Sequence, residues 1–288
     1  MLRITPRPVR DAQPRAHPRL CGPACALALA VVVLAPVMAS AEPPTGRQIM
    51  EWVEDRDDGD NGVSDLEMIL IDKRGNQRVR EIRSYTRKFV NENREDDYGI
   101  MFFLSPADVK NTGFLTYDYD DPERDDDQWL YLPALKKTKR IASSDKSGSF
   151  MGSDFSYADM SSRILDRYQY TLMKEVEIEG VKMWQVEGIP NEKEIEETGY
   201  TKSWMFVRQD NFVVQRAVSW LKKGGRLKYM QVNALEQVDG IWVATELTMK
   251  TTKAKKTLHR TVIKVDNIKF NQGLDDAMFT VRRLEKGL

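Results

Sequence analysis

The chain has 288 residues; 41% of them are hydrophobic, and 44 basic side chains balance 44 acidic ones. A nucleic-acid-binding domain usually shows a basic excess, so this balance argues against one. Two cysteines and two histidines are too few for a disulfide framework or a multi-histidine zinc site, and we expect no metal and no other cofactor.

The first 41 residues have the pattern of a secretory signal peptide. Five arginines precede an apolar run at Ala24–Met38, and the small residues Ala39–Ala41 follow it. This order predicts cleavage after Ala41 and a mature chain, residues 42–288, that works outside the cytoplasm as a single domain. The alternative is an uncleaved membrane anchor, which the short, proline-interrupted run disfavours.

Cleavage after Ala41 would also remove most of the chemically reactive residues. Both cysteines and His17 belong to the leader, so His259 is the one histidine left in the mature sequence. A Ser-His-Asp site would need His259 as its base, and His259 lies in a basic segment with the pattern of a surface strand. Ser143 and Lys146 have the spacing of some acylating serine enzymes, but the companion motifs are absent. We therefore predict no catalytic residue and no enzymatic activity.

The pattern of the mature sequence predicts mainly β-strands. Residues 46–54 have helical periodicity, and from Val63 onward the apolar residues alternate with polar ones. Short turns containing glycine, asparagine or aspartate separate the alternating segments, which is typical of an antiparallel meander. The predicted strands are 63–71, 77–90, 98–104, 114–119, 128–132, 167–178, 181–189, 201–208, 212–220, 226–236 and 241–252.

The apolar faces of these strands have to be covered. Only residues 46–54 and a central segment, about 147–162, look helical, and two short helices cannot cover so large a sheet. We therefore predict a mainly β (α+β) fold: a half-closed antiparallel β-barrel of ten or eleven strands, with short helices covering or plugging its concave apolar face. Strand residues predicted to line the resulting cavity are Trp204, Phe206, Trp220 and Met249.

The central segment contains the other predicted cavity residues. Gly148 and Gly152 bracket Phe150 and Met151, so a mobile loop would present two bulky apolar side chains. One interpretation is a movable lid over the cavity, and the other is an ordinary loop and helix that close the core. The apolar residues assigned to this lid are Phe150, Met151, Phe155, Tyr157 and Met160.

Three charged segments allow alternative interpretations. The first is the acidic loop 55–60, whose residues match the ligand positions of a calcium-binding loop poorly. We predict that it is a solvated loop that follows the helix. The acidic run 118–127 is predicted to be an exposed hairpin loop, or else a docking site for a basic partner. The third segment is basic and contains Lys136, Lys137, Lys139 and Arg140. Its charges either protect an edge strand from aggregation, or they contact a partner, which would be anionic lipid headgroups or an exporter.

Several motifs resemble the outer-membrane lipoprotein-sorting protein family. They are Asp127–Lys137, Lys139–Ile141, Gly148–Phe155 and, upstream, Phe103–Gly113. The sequence is most similar to the branch of this LolA-like superfamily that is found with exporters of the resistance-nodulation-division (RND) type. The resemblance implies a half-closed barrel with helices in or across its mouth, in the periplasm of a Gram-negative cell.

The resemblance also implies the function. We expect a non-enzymatic, monomeric periplasmic carrier that holds a lipid or the acyl chains of a lipoprotein, with an RND-type exporter as its partner and no nucleic acid bound. The alternative is an accessory subunit that binds such an exporter and carries no cargo. Burial of each methylene of a lipid is worth about 0.8 kcal/mol, which gives an apolar cavity its affinity.

Overall fold

The computed structural model describes residues 42–91 and 94–288, and this part of the chain is dominated by β-strands. The predicted signal peptide, residues 1–41, lies outside the described residues. Among the described residues, no helix is long and apolar enough to cross a membrane. The elements are α1 (Gly46–Glu54), β1 (Asn61–Ile71), β2 (Gln77–Asn91), β3 (Arg94–Ser105), β4 (Gly113–Asp118), β5 (Asp127–Leu132), β6 (Lys137–Arg140), β7 (Tyr168–Ile178), β8 (Val181–Pro190), α2 (Glu192–Thr198), β9 (Tyr200–Arg208), β10 (Val214–Leu221), β11 (Arg226–Val238), β12 (Ile241–Lys253), β13 (Lys256–Phe270) and α3 (Val281–Lys286).

All thirteen strands form one antiparallel sheet with two free edges. The strand order is β6-β5-β4-β3-β2-β1-β13-β12-β11-β10-β9-β8-β7. Neighbours in the sheet are also neighbours in the chain, except that β1 pairs with β13 at the centre. This open, mainly β architecture with short helices confirms the predicted fold class, although the sheet has thirteen strands rather than ten or eleven.

The chain must cross the sheet between its two edges. Strand β6 is one edge and β7 is the other, yet they are consecutive in the chain and are joined by residues 141–167. We call residues 141–167 the crossing segment. Its side chains pack in both halves of the concave face: Phe150 and Phe155 in one apolar cluster, and Leu165 in another.

Two apolar clusters lie on the concave face. In the first, Phe103 and Phe114 pack around Phe150 of the crossing segment, together with Met249 of β12. In the second, helix α1 covers strands β8–β10. Its members are Ile49, Met50, Leu165, Trp184, Val186, Met205, Val207 and Ala217.

A third apolar cluster covers the opposite face of β3 and β4. Phe102 points away from Phe103 because successive residues of a strand face opposite sides of the sheet. Here Phe102 and Leu115 pack with Phe279 and with Leu284 of α3. This C-terminal helix was not predicted from the sequence.

The central segment does not form the predicted helix. Between residues 147 and 162 the chain makes short 3-10 turns at Phe150–Gly152 and Ala158–Met160. Gly152 and Met151 have left-handed backbone angles, with φ values of 75° and 50°. The Ser153 hydroxyl donates to the Phe150 carbonyl over 2.7 Å. Such local bonds compete with helical ones, and they explain why the prediction was wrong.

Helix α1 depends on a close approach to the edge strand. Thr45 caps it in a capping box with Gln48, which fixes where the helix begins. A Cβ atom on Gly46 would lie 2.7 Å from the backbone nitrogen of Thr171 and 2.8 Å from that of Leu172. Glycine is therefore needed where α1 meets β7.

We expect Gly46→Ala to lower the free energy of unfolding by about 1–3 kcal/mol, because the added methyl group pushes α1 off β7. Alanine is otherwise the better helix former, so without this contact the change would be stabilising. Urea unfolding measures the difference. Glu51→Ala, which removes only the surface ion pair of this half-buried residue with Arg47 on the same helix, is the control. Equal or greater stability of Gly46→Ala would contradict the proposed contact.

Candidate functional site

A cavity of about 830 Å³ lies beneath α1, in the half of the concave face that the crossing segment leaves open. Strands β9, β10 and β11 form its floor, and residues 162–166 of the crossing segment form one wall. The floor and the underside of α1 are apolar. The apolar lining comprises Met50, Val53, Ile164, Leu165, Met205, Val214, Ala217 and Met230.

The mouth of the cavity is acidic. Nine carboxylic side chains line it, against four cationic ones. Lys88 already pairs with Asp58 at 3.0 Å and with Glu95 at 2.5 Å, and Arg47 pairs with Asp166 at 2.8 Å. The carboxylates thus exceed the cations available to them. Within residues 42–91 and 94–288, no group of acidic, histidine or cysteine side chains has a metal-binding arrangement.

Burial and mutual repulsion raise the pKa values of three carboxyl groups in this lining. Burial, with added repulsion from Asp58 and Glu95, raises the pKa of Asp97 to about 6. Burial and the neighbouring Asp126 raise the pKa of Asp118 well above its ordinary value. Burial also raises the pKa of Glu54. The mouth therefore changes its charge near neutral pH.

One cation of the lining, Arg163, stands apart from these carboxylates. Its guanidinium donates to the sulfur of Met205 over 3.0 Å and lies 5.5 Å from the centre of the Tyr168 ring. In the described part of the chain, no carboxylate oxygen lies within 4.0 Å of its nitrogens. Arg163 is therefore available to a polar group of a bound molecule.

The predicted lid residues come together, but they fill the first apolar cluster and do not line the cavity. The side chains of Phe150 and Phe155 are 0% and 4% exposed. Met249 is a buried member of the same cluster, and Met151, Tyr157 and Met160 pack against it. This part of the crossing segment is a plug.

Buried Asp154 fixes the plug to the centre of the sheet. Its carboxylate accepts from the hydroxyls of Thr251 and Thr261, at 2.6 and 2.9 Å. The Nδ1 atom of His259 lies 2.5 Å from the same carboxylate, whose side chain is 1% exposed. His259, which the sequence analysis assigned to the surface, thus has a structural contact.

A second buried carboxylate, Asp159, fixes the end of the plug. Lys228 donates to it over 2.9 Å, and the Tyr200 hydroxyl donates over 2.8 Å. Burial alone would raise the pKa of Asp159, but Lys228 and the hydrogen bonds lower it below its ordinary value. These contacts favour a fixed plug over a movable lid.

Three residues predicted to line a cavity, Trp204, Phe206 and Trp220, face away from the cavity beneath α1. In β9 the side chains of Met205 and Val207 face the concave side, so those of Trp204 and Phe206 face outward. Trp220 is on this outer face too, and its ring centre lies 4.9 Å from that of Trp204. Both faces of β9 carry large apolar residues, and alternation alone does not reveal which face is concave.

The predicted basic contact lies at an edge of the sheet. Lys136 and Lys137 are exposed in the β5–β6 hairpin. Lys139 pairs with Asp145 at 3.4 Å, and Arg140 pairs with Asp127. Two of these four cations are therefore already neutralised.

The acidic mouth of the cavity was not predicted from the sequence. The acidic run 118–127 has the pattern of an exposed loop, whereas Asp126 is buried and Asp118 is largely buried beside the cavity. The density of carboxylates was visible in the sequence. Their position depends on the crossing segment, whose Ser162 backbone donates to the Asp118 carboxylate over 2.5 Å.

Comparisons with known proteins give the following similarities. A family model described as "-like: Uncharacterized protein" matches residues 95–286. A DUF1329 family protein from Desulfovibrio piger is 31% identical, with a TM-score of 0.76, over 83% of this chain and 97% of that one. A domain assigned to outer-membrane lipoprotein sorting, from Vibrio parahaemolyticus, is 30% identical, with a TM-score of 0.74, over 83% and 98%.

A more distant structure has the same fold. The LolA superfamily protein NE2245 from Nitrosomonas europaea has a TM-score of 0.61 and 17% identity, over 84% of this chain and 100% of that one. No curated protein matches the chain.

We expect Asp154→Ala to lower the free energy of unfolding by about 3 kcal/mol or more, because the buried hydroxyls of Thr251 and Thr261 lose their acceptor. Thermal and urea unfolding measure the effect. Asp145→Ala, an exposed carboxylate of the same crossing segment, should change stability by less than about 0.5 kcal/mol. Similar losses in the two variants would mean that Asp154 does not anchor the plug.

We expect Asp97→Asn to stabilise the protein at pH 7 and to lose this advantage as the pH falls toward 4. The folded-state pKa of Asp97, about 6, lies above its ordinary value of 3.8. The folded protein therefore loses stability as the pH rises through this interval and the buried carboxyl group ionises. Melting temperatures across the interval test this, with exposed Asp239→Asn as control. A pH-independent difference would contradict it.

Proposed function

The chain belongs to the DUF1329 family, and we propose that it is a lipoprotein-sorting protein of the LolA-like group that binds the acyl chains of a lipid or lipoprotein in the cavity beneath α1. It would carry this cargo through the periplasm without chemical change. The similarity to the Vibrio parahaemolyticus domain, which is assigned to lipoprotein sorting, supports this proposal. The predicted signal peptide is consistent with a periplasmic protein.

The apolar floor of the cavity is the observation that carries this proposal. Its volume, about 830 Å³, falls in the range of small-molecule sites. Three of the apolar lining residues are methionines: Met50 of α1, Met205 and Met230. Flexible methionine side chains adapt to chains of different shape, which suits a carrier that must also release its cargo. The polar end of the cargo would lie against Arg163, beside Met205.

The acidic mouth favours a second candidate function. Nine carboxylates around one opening complement a basic surface on another protein. An accessory subunit that docks on an RND-type exporter through this mouth, and carries no cargo, would use the same charges. In the carrier function, the same exporter would be the partner that delivers or receives the cargo.

Native mass spectrometry of the protein purified gently from the periplasm, followed by lipid extraction, tests the carrier function. We expect the unmodified protein to carry a lipid of defined mass. Ala217→Phe should reduce the bound fraction at least about tenfold, because the added ring occupies the cavity floor and displaces methylenes worth about 0.8 kcal/mol each. The bound fraction is read from the intensities of the adduct peaks.

Ala107→Phe, at an exposed turn, is the matched control and should retain the lipid. Melting temperatures establish whether both variants are folded. If the unmodified protein acquires no lipid even after incubation with envelope lipids, the carrier function is wrong. Stable binding of such an empty protein to an exporter would then support the accessory subunit.

A further inference from the structure

Three adjacent hairpins place a row of cations along one end of the sheet. The six strands β2-β1, β13-β12 and β11-β10 are consecutive in the sheet. Their turns are at residues 72–76, 254–255 and 222–225. Each hairpin begins and ends at the opposite end of the sheet, so all three turns lie at the same end. Adjacent strands are about 4.8 Å apart, so neighbouring hairpin tips are about 10 Å apart.

We call the cations of these tips the basic rim. All of them are exposed, and the same tips carry one carboxylate, Asp72. That carboxylate is used within its own turn, where it accepts from the backbone nitrogens of Arg74 and Asn76 at 2.7 and 3.0 Å. The basic rim consists of Lys73, Arg74, Lys222, Lys223, Arg226, Lys253, Lys255 and Lys256.

Most of the basic rim has no partner within the described protein. Lys222 pairs with the exposed carboxylate of Glu196. For the other seven cations, no carboxylate oxygen among the described residues lies within 4.0 Å. The basic rim thus has eight cations, and its one carboxylate is already hydrogen-bonded within its own turn. These charges form a strongly positive surface along six strands, which attracts an extended anionic surface.

We propose that the basic rim docks on the anionic headgroups of a membrane surface. Six of its eight cations are lysines, which act as mobile point charges and need no fixed geometry in the partner. The tips form a row along one end of the sheet, so they match a fluid array of phosphates better than the fixed carboxylates of a protein. Polybasic surfaces bind anionic bilayers by this attraction.

An aromatic group next to the rim supports a lipid partner. Trp220 is two residues from Lys222 and lies on the outer face with Trp204. The ammonium of Lys202 is 4.7 Å from the centre of the Trp220 ring. Tryptophan beside lysine is the combination that prefers the headgroup region of a bilayer, where the ring is half buried and the charge remains in water.

The position of the cavity agrees with this orientation. The acidic mouth includes Asp55, Asp58 and Asp97, which lie at the end of β1, β2 and β3 away from the basic rim. An anionic surface repels the mouth and attracts the rim. Docking through the rim therefore leaves the mouth open to the aqueous side, and the docking itself does not depend on the cavity having a cargo.

The test is co-sedimentation of the purified protein with vesicles of equal parts phosphatidylglycerol and phosphatidylcholine. We expect binding to these vesicles, a loss of binding as salt is raised, and none to vesicles of phosphatidylcholine alone. Lys223→Glu/Lys256→Glu reverses two exposed tip charges and should weaken partitioning at least about tenfold. Circular dichroism and thermal melting verify that the variant is folded.

Lys174→Glu/Lys182→Glu changes the net charge equally on the exposed β7–β8 hairpin and is the matched control. It should bind the anionic vesicles within about twofold of the unmodified protein. Equal weakening by both variants would show that net charge, and not the rim, governs binding. If the unmodified protein does not bind anionic vesicles at low salt, the proposal is wrong. An acidic protein is then left as the partner of the basic rim.

Discussion

The connection between the two edge strands is the constraint on which this structure depends. Consecutive strands of an antiparallel meander usually pair, but β6 and β7 are twelve places apart in the sheet order, at its two free edges. The 27 residues between them, 141–167, must therefore cross a face of the sheet. Polar backbone groups that leave a sheet need other partners, and the serine hydroxyls and short turns of the crossing segment supply many of them. The cavity exists because this crossing fills one half of the concave face and leaves the other half to α1.

Buried charges determine where the crossing lies. Asp154 and Asp159 are held by β12, β13, β9 and β11, and Lys146 faces Asp126 at 3.7 Å with both side chains at most 7% exposed. Near the start of β7, Arg167 contacts Asp125, Glu194 and Glu197. Such pairs add little net stability compared with apolar packing, but breaking one of them is costly. They give the segment one position among many that apolar contacts alone would allow.

The sequence was informative where structure is local and less so where it is not. Alternation identified the long strands except β13 (Lys256–Phe270), of which only the segment around His259 was recognised as a strand, and helical periodicity identified α1. Strand β6 was missed because its four residues are Lys137, Thr138, Lys139 and Arg140, with no apolar alternation to detect. The apolar residues between 147 and 162 were recognised as a group, either a lid over the cavity or a loop and helix that close the core, but the glycines and serines among them favour turns over a helix. The cavity could not be located, since its lining joins α1, the acidic run 118–127 and β9–β11 across long distances in the chain.

The pairing of β1 with β13 bears on how the protein folds. These strands lie at the centre of the sheet, and their paired residues, such as Gly62 with Phe270, are about 200 residues apart in the chain. Non-local pairing of this kind slows folding, because the entropy of closing a long loop is lost before any contact compensates for it. The middle of the sheet cannot form until the last strand has emerged. A chain delivered end-first from the ribosome, or through a translocation pore, thus stays open at the centre of its sheet until residues 256–270 have emerged.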